Sequence, residues 1–450
     1  MAETQRQGTA PSGSAASPPA TAATIVPAVI RRLQQGRRAA AEALCREALA
    51  RAPASPDALI GLSIIAEGSG RLDEAIALLE RVVASSGRVE HHLHLARLLH
   101  AAGRDREVAA ACRKRIGERP DDVGALIGLA AILQAQGDVA GAVQVYGGLV
   151  SIRPDNADGW FSLGTLLHQH GRSAEAIGPF RRAIALDPRF AAGPTLGNAL
   201  LKQGAVAEAV AAYEACLRLS PGDRRAIAQQ AAALWQLGRR DEARRLVDFD
   251  RFLRPVAVDP PEGYASIAAF NAALARFVTA HPTLAFEPPQ RSTRHGSQTG
   301  QIERETSRPL AALQRIIRGK VADYLDSLGD DPAHPFFATL PNRWWASIWA
   351  TVLGAQGHQT THIHPDGHVS GVYYVRVPQT VAADVASQQG WIEFGRPPAA
   401  LNCRAKPAVR TIQPVEGLML LFPSYFYHRT IPFQSEEQRI SIAFDIVSEA

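Results

Sequence analysis

The sequence predicts a multidomain chain, an all-α helical solenoid followed by a β-rich domain of jelly-roll type with flanking helices. Three observations carry this expectation. Glycines recur every 33 or 34 residues from Gly36 to Gly238. Beyond Pro255 the texture changes to short β-type runs separated by Gly, Pro and Asn. The 450 residues also exceed what one hydrophobic core organises, at roughly 150 residues per domain.

The stretch 1–24 contains no Val, Ile, Leu or aromatic side chain, and it is rich in Ala, Pro, Ser, Thr and Gly. Such a segment cannot bury enough apolar surface to offset its ordering entropy, which predicts a disordered tail. From 25 to 255 the glycines at 36, 70, 103, 137, 171, 204 and 238 mark about seven helical hairpins. Five residues after each stands Ala41, Ala75, Val108, Ala142, Ala176, Ala209 or Ala243, and nine after each stands Cys45, Leu79, Cys112, Tyr146, Phe180, Tyr213 or Val247. A glycine ends the first helix, a small residue lets the second approach, and a larger apolar residue fills the gap one turn on. Residues 256–450 form the predicted second domain. Asp259–Gly263 reads as a linker, Ile267–Thr279 and Pro309–Leu328 as amphipathic helices. Trp344–Leu353, Ser370–Val377, Gly390–Phe394, Gly417–Phe422 and Arg439–Val447 read as strands.

The repeat resembles the tetratricopeptide pattern. One unit carries nearly all of it, in Trp160, Leu163, Gly164, Leu167, Ala176, Phe180, Ala183 and Pro188, with Leu167 in place of the usual aromatic. The resemblance implies a superhelix with a concave groove that binds a protein or peptide partner. His91, His92, His94, His168 and His170 fall inside the repeats at helical spacing and read as packing or solvent-facing residues.

Composition excludes other classes. No apolar run approaches the ~18 residues of a membrane span, and the N-terminus lacks the charged-then-apolar order of a secretory signal. Cys45, Cys112, Cys216 and Cys403 form no CxxC pair, which argues against a disulfide scaffold or cysteine zinc site and fits a reducing cytoplasm. The net charge of +5 comes from 48 basic and 43 acidic residues without a dense basic run, so no nucleic-acid partner is expected. Phosphate loops, a G-x-S-x-G elbow and a GxGxxG fingerprint are missing.

Four of the fourteen histidines fall between 358 and 368. Alternation on a β-segment sends His362 and His364 to one face, where two imidazoles offer adjacent metal ligands. His428, 64 residues after His364, is the candidate third ligand. Arg439 and Ser441 follow on a strand and share a face. One of Tyr373 and Tyr374 faces the same pocket, with Tyr374 the candidate on the cofactor side. Trp349 and Trp391 read as cleft lining or core, His358 and His368 as exposed flanks, and Arg404 and Arg410 as a solvated edge.

Together these segments resemble the Fe(II)/2-oxoglutarate-dependent oxygenase superfamily, and within it bacterial oxygenases that carry tetratricopeptide repeats ahead of the catalytic domain. The resemblance spans Thr293–Thr299, Trp345–Ile348, His362–Val375, Gly390–Phe394, Gly417–His428 and Arg439–Phe444. It implies a double-stranded β-helix holding Fe(II) by an H-x-D/E…H triad, with 2-oxoglutarate as co-substrate and its far carboxylate on Arg439 and Ser441. Here the residue two after His362 is His364, not an acid. Two ligand sets stay open, His362–His364–His428, or His364–Asp366–His428 with His362 outside. The implied activity is hydroxylation of a protein or peptide brought by the repeats. Two alternatives are a non-catalytic scaffold with a degenerate domain and a three-histidine dioxygenase that does not use 2-oxoglutarate.

Overall fold

Alanine-rich stretches punctuated by capping residues fold as paired helices. The computed structural model describes residues 25–34, 36–85, 88–289, 291–383 and 385–449. The predicted tail, 1–24, lies outside the described residues. The chain divides into two compact units at Asp105 and Arg106. The first holds the helices Ile25–Gln34, Arg38–Arg51, Pro56–Glu67, Leu72–Ser85 and Val89–Ala101. The second opens within Asp105–Glu118 and continues through Val123–Ala135, Val139–Ile152, Ala157–Gln169, Ser173–Leu186, Thr195–Lys202, Val206–Leu219, Arg224–Gln236 and Arg240–Leu246.

Local chemistry sets where these helices begin and turn. The side chains of Asp122, Asn156 and Asp223 accept the backbone N–H three residues on, at 3.0, 2.6 and 2.7 Å. Each such cap contributes about 1 kcal/mol. All seven phased glycines have φ between +61° and +80°, a region that costs other residues roughly 1–2 kcal/mol. A Cβ on Gly164 would stand 2.7 Å from the Phe180 ring, and one on Gly197 would stand 2.3 Å from the Tyr213 ring. The helices therefore meet at glycine, against the large residue of the facing helix. Cys45, Leu79, Tyr146, Phe180 and Tyr213 are fully buried there, whereas Cys112 and Val247 are half-buried. None of the four cysteines forms a disulfide.

The sheets follow. Their strands are β1 (Arg254–Ala257), β2 (Ala285–Phe286), β3 (Thr293–Gln298), β4 (Trp344–Gln359) and β5 (Val369–Arg376), then β6 (Ile392–Phe394), β7 (Arg410–Ile412), β8 (Leu418–Pro423), β9 (His428–Thr430) and β10 (Arg439–Ser448). Seven form one sheet in the order β1-β8-β5-β10-β4-β3-β2, and three form a second in the order β7-β6-β9. Every pairing is antiparallel. The two expected helices appear as Ile267–Thr279 and Arg308–Leu328. Leu200, Ile227 and Leu234 of the last hairpins share a core with Leu313, Tyr373, Leu420 and Ile442 of the sheet region. Tyr425 Oη donates to the Leu246 carbonyl and Trp235 Nε1 to the Lys406 carbonyl, both at 2.7 Å.

The five expected strands are present, and others were not foreseen. β1 begins at Arg254, where the repeats were expected to end, and Pro255 is tolerated because β1 is an edge strand. β4 runs past Leu353 to Gln359. His362 and His364 do not lie on a strand. A single bridge joins His362 to His428, through reciprocal backbone hydrogen bonds of 3.1 Å. Among the described residues no helix is long and apolar enough to cross a membrane.

Candidate metal and cofactor site

The register of β4, β10 and β5 builds one wall of the site. Ser441 lies between Thr351 and Tyr374, Ala443 between Trp349 and Val372, and Asp445 between Ser347 and Ser370. Alternation puts Arg439, Ser441, Ala443 and Asp445 on one face of β10. A cavity opens on that face, lined by Trp349, Thr351, Tyr374, Arg439 and Ser441 on one side and by the three histidines on the other.

One ring nitrogen each of His362, His364 and His428 lies within 4.8 Å of the other two. Their Nδ1 atoms are all committed elsewhere. His362 Nδ1–H donates to the Thr360 carbonyl at 2.7 Å, His364 Nδ1–H to the Asp445 carboxylate at 2.6 Å, and His428 Nδ1–H to the Phe426 carbonyl at 2.9 Å. An acceptor on Nδ1 fixes the tautomer, so the nitrogen left with a lone pair is Nε2 on all three rings. At His362 that lone pair receives the Ser292 hydroxyl at 3.3 Å. Burial and the neighbouring His364 push the His362 imidazole down to about 3, and burial beside both partners holds His428 well below the ordinary histidine range. Those two rings are therefore neutral donors near pH 7, the form that binds a metal.

The opposite end of the cavity is polar and unsatisfied. Arg439 is 2 % exposed, and its Nε and Nη1 have no hydrogen-bond partner, nor do Tyr374 Oη and Thr351 Oγ1. The guanidinium carbon lies 5.0 Å from the Tyr374 ring centre. Burial lowers the Arg439 pKa and raises that of Tyr374. A buried guanidinium with free N–H groups is costly unless an anion meets it. These donors fit a carboxylate, and the three imidazoles fit a divalent transition metal.

The structure thus brings together His362, His364, His428, Arg439, Ser441 and Tyr374. It does not bring Asp366, which is exposed in the turn after His364 and outside the histidine group. Alternation resolves the tyrosine pair, because Tyr373 points away and donates to Asn271 Oδ1 at 2.6 Å. Trp349 lines the cavity, its ring 5.4 Å from that of His364, whereas Trp391 packs in a separate cluster with Leu353, Val381 and Phe433. His368, expected to be exposed, is buried. Arg224 of the last hairpin donates to its Nδ1, and its Nε2 meets Ser448 Oγ at 2.9 Å. Both ring nitrogens are used, and burial beside Arg224 pushes its pKa to about 4. Arg410 pairs with Asp250 on the surface. Sequence reasoning missed Thr351, Ser370 and Asp445. Strand alternation after Arg439 would have found Asp445, but Thr351 faces Ser441 only once the β4–β10 register is known.

Family models match segments in both the repeats and the C-terminal region. Residues 347–445 match the family described as "Putative 2OG-Fe(II) oxygenase". Residues 32–88, 127–189, 195–223 and 225–248 match four tetratricopeptide-repeat families. No curated protein matches. Among solved structures, MamA is 25 % identical over 33 % of this chain and 88 % of its own, with a TM-score of 0.31. TTC0263, a thermophilic TPR protein of Thermus thermophilus, is 20 % identical over 48 % of this chain and 100 % of its own, at a TM-score of 0.29. YrrB, described as a TPR protein with an unusual peptide-binding site, is 15 % identical over 46 % of this chain and 91 % of its own, at a TM-score of 0.28. The chain joins tetratricopeptide repeats to a C-terminal region that matches the 2OG-Fe(II) oxygenase family.

Proposed function

We propose that the protein is an Fe(II)- and 2-oxoglutarate-dependent dioxygenase that hydroxylates a protein or peptide recruited by its repeats. Residues 256–450 serve as the oxygenase domain and 25–255 as the recruiting module. The observation that carries this reading is one cavity with two chemically distinct ends, three imidazoles at one and the unpaired donors of buried Arg439 at the other. His362, His364 and His428 hold the metal through Nε2. Arg439 takes the far carboxylate of 2-oxoglutarate in its guanidinium fork, with Ser441, Tyr374 and Thr351 as flanking hydroxyl donors. Trp349 and Phe422 wall the space between and exclude water. Iron with 2-oxoglutarate and dioxygen supplies the oxidising power for C–H hydroxylation, yielding carbon dioxide and succinate. A cytoplasmic setting is part of this reading, in keeping with four cysteines that form no disulfide.

The triad alone favours a three-histidine dioxygenase without 2-oxoglutarate, but that reading leaves the Arg439 donors without a partner. A scaffold without turnover meets the same objection. Succinate release by the full chain given Fe(II), 2-oxoglutarate and air tests the reading. Slow succinate formation that is lost in His364→Ala is expected. No succinate from iron-loaded protein, with or without a lysate supplying substrate, would overturn it.

A further inference from the structure

The three imidazoles bring no negative charge to the ion they would hold, yet a carboxylate stands directly behind one of them. Asp445 Oδ1 accepts from His364 Nδ1–H at 2.6 Å and from the Ser370 hydroxyl at 2.6 Å. The Asp445 side chain is 15 % exposed, and its one ion-pair partner among the described residues is His364. No lysine or arginine among the described residues neutralises it. A carboxylate withdrawn from water in this way needs a cation nearby, and the group that links it to the cavity is the His364 ring. The β10 register holds it in place, since Asp445 lies between Ser347 and Ser370 on the cavity face.

Resting on the metal-site reading above, we propose that Asp445 is a positioning residue that supplies the centre's negative charge through His364. Ser370 fixes the carboxylate rotamer. Asp445 in turn fixes the Nδ1–H tautomer of His364 and so aims the Nε2 lone pair into the cavity, as a carboxylate behind a metal-bound histidine does. The charge that a ligating acid would place on the metal is thus displaced one imidazole outward.

Co(II) is the probe, because its visible absorption reports the donor set without turnover. Full-length wild type, Asp445→Asn, Ser370→Ala and His428→Ala are titrated with Co(II), and their metal-free melting is followed in parallel. Asp445→Asn keeps an acceptor for Nδ1–H but removes the charge. It is expected to weaken Co(II) binding about 10- to 100-fold, to shift the visible bands, and to leave metal-free melting unchanged or raised. Ser370→Ala is expected to lie between it and wild type, and it carries the test if Asp445→Asn does not fold. Unchanged Co(II) affinity and spectrum in both variants, with wild type binding, would overturn the role of Asp445 and leave the triad standing. Wild type that binds no Co(II), or His428→Ala that binds it equally well, would overturn the triad and this inference together.

Discussion

The hairpins and the sheets use buried positions in opposite ways. Inside the hairpins the phased position is filled by whatever apolar residue fits, Cys45, Leu79, Tyr146, Phe180 or Tyr213, all fully buried. The same contact recurs from repeat to repeat, so no single residue is indispensable. On the cavity face of the sheet, Arg439, Tyr374 and Thr351 are buried with unpaired polar atoms. Each occurs once and each costs stability as it stands. The difference teaches that packing is redundant and chemistry is not. Several such buried polar atoms gathered on one cavity, unlike a lone one such as Tyr146 Oη in the hairpins, mark where a ligand belongs.

Substitutions can break this contrast in order of size. The largest effect is expected at His428, which is irreplaceable in the triad. His428→Ala should abolish Fe(II) binding measured by metal analysis after desalting, while circular dichroism stays native. Next comes Gly197→Ala. Its Cβ would meet the Tyr213 ring at 2.3 Å, and that ring is held by a 2.8 Å hydrogen bond to Asn198 Oδ1. The helix-propensity gain of alanine is smaller than this overpacking, and a net loss of roughly 1–3 kcal/mol is expected by denaturant titration.

Lowering the pH should act mainly through the sheet region. His368 and His362 are held at about 4 and about 3 in the folded chain, against about 6.5 when unfolded. The unfolded chain then binds protons that the folded chain refuses, so stability falls as pH drops from about 6.5 toward those values. Each histidine contributes up to about 1.4 kcal/mol per pH unit. Denaturation of metal-free protein at pH 7 and pH 5 measures this, and His368→Gln should flatten the slope. The smallest effect is Gly204→Ala, where nothing lies within 4 Å of an added Cβ and φ is +79°. Only the backbone penalty remains, about 1 kcal/mol. Equal losses at Gly197 and Gly204 would contradict the packing argument.

What was legible in the sequence follows the same division. The hairpins could be read because the glycine phase repeats seven times, and each of those glycines has positive φ. His362, His364, His428 and Arg439 were legible as rare residue types at telling intervals. Thr351 was not, because a threonine in a strand carries no signal until Ser441 is paired opposite it. β1 was hidden because four residues are too few for periodicity. His368 was misread as exposed because its cover comes from Arg224, distant in sequence. Asp366 drew attention by closeness in sequence to His364, yet the carboxylate that touches His364 comes from Asp445.

The most direct test of the account is anaerobic. The full chain is loaded with Fe(II) and titrated with 2-oxoglutarate while the weak visible charge-transfer band of a metal-chelated 2-oxo acid is followed. The account predicts a saturable band in wild type, and for Arg439→Ala the same band only at roughly 30-fold higher 2-oxoglutarate or more, the effect of truncating one partner of a buried charge pair. Iron-loaded wild type that shows no band at saturating 2-oxoglutarate, or an Arg439→Ala titration that overlays it, would contradict the account.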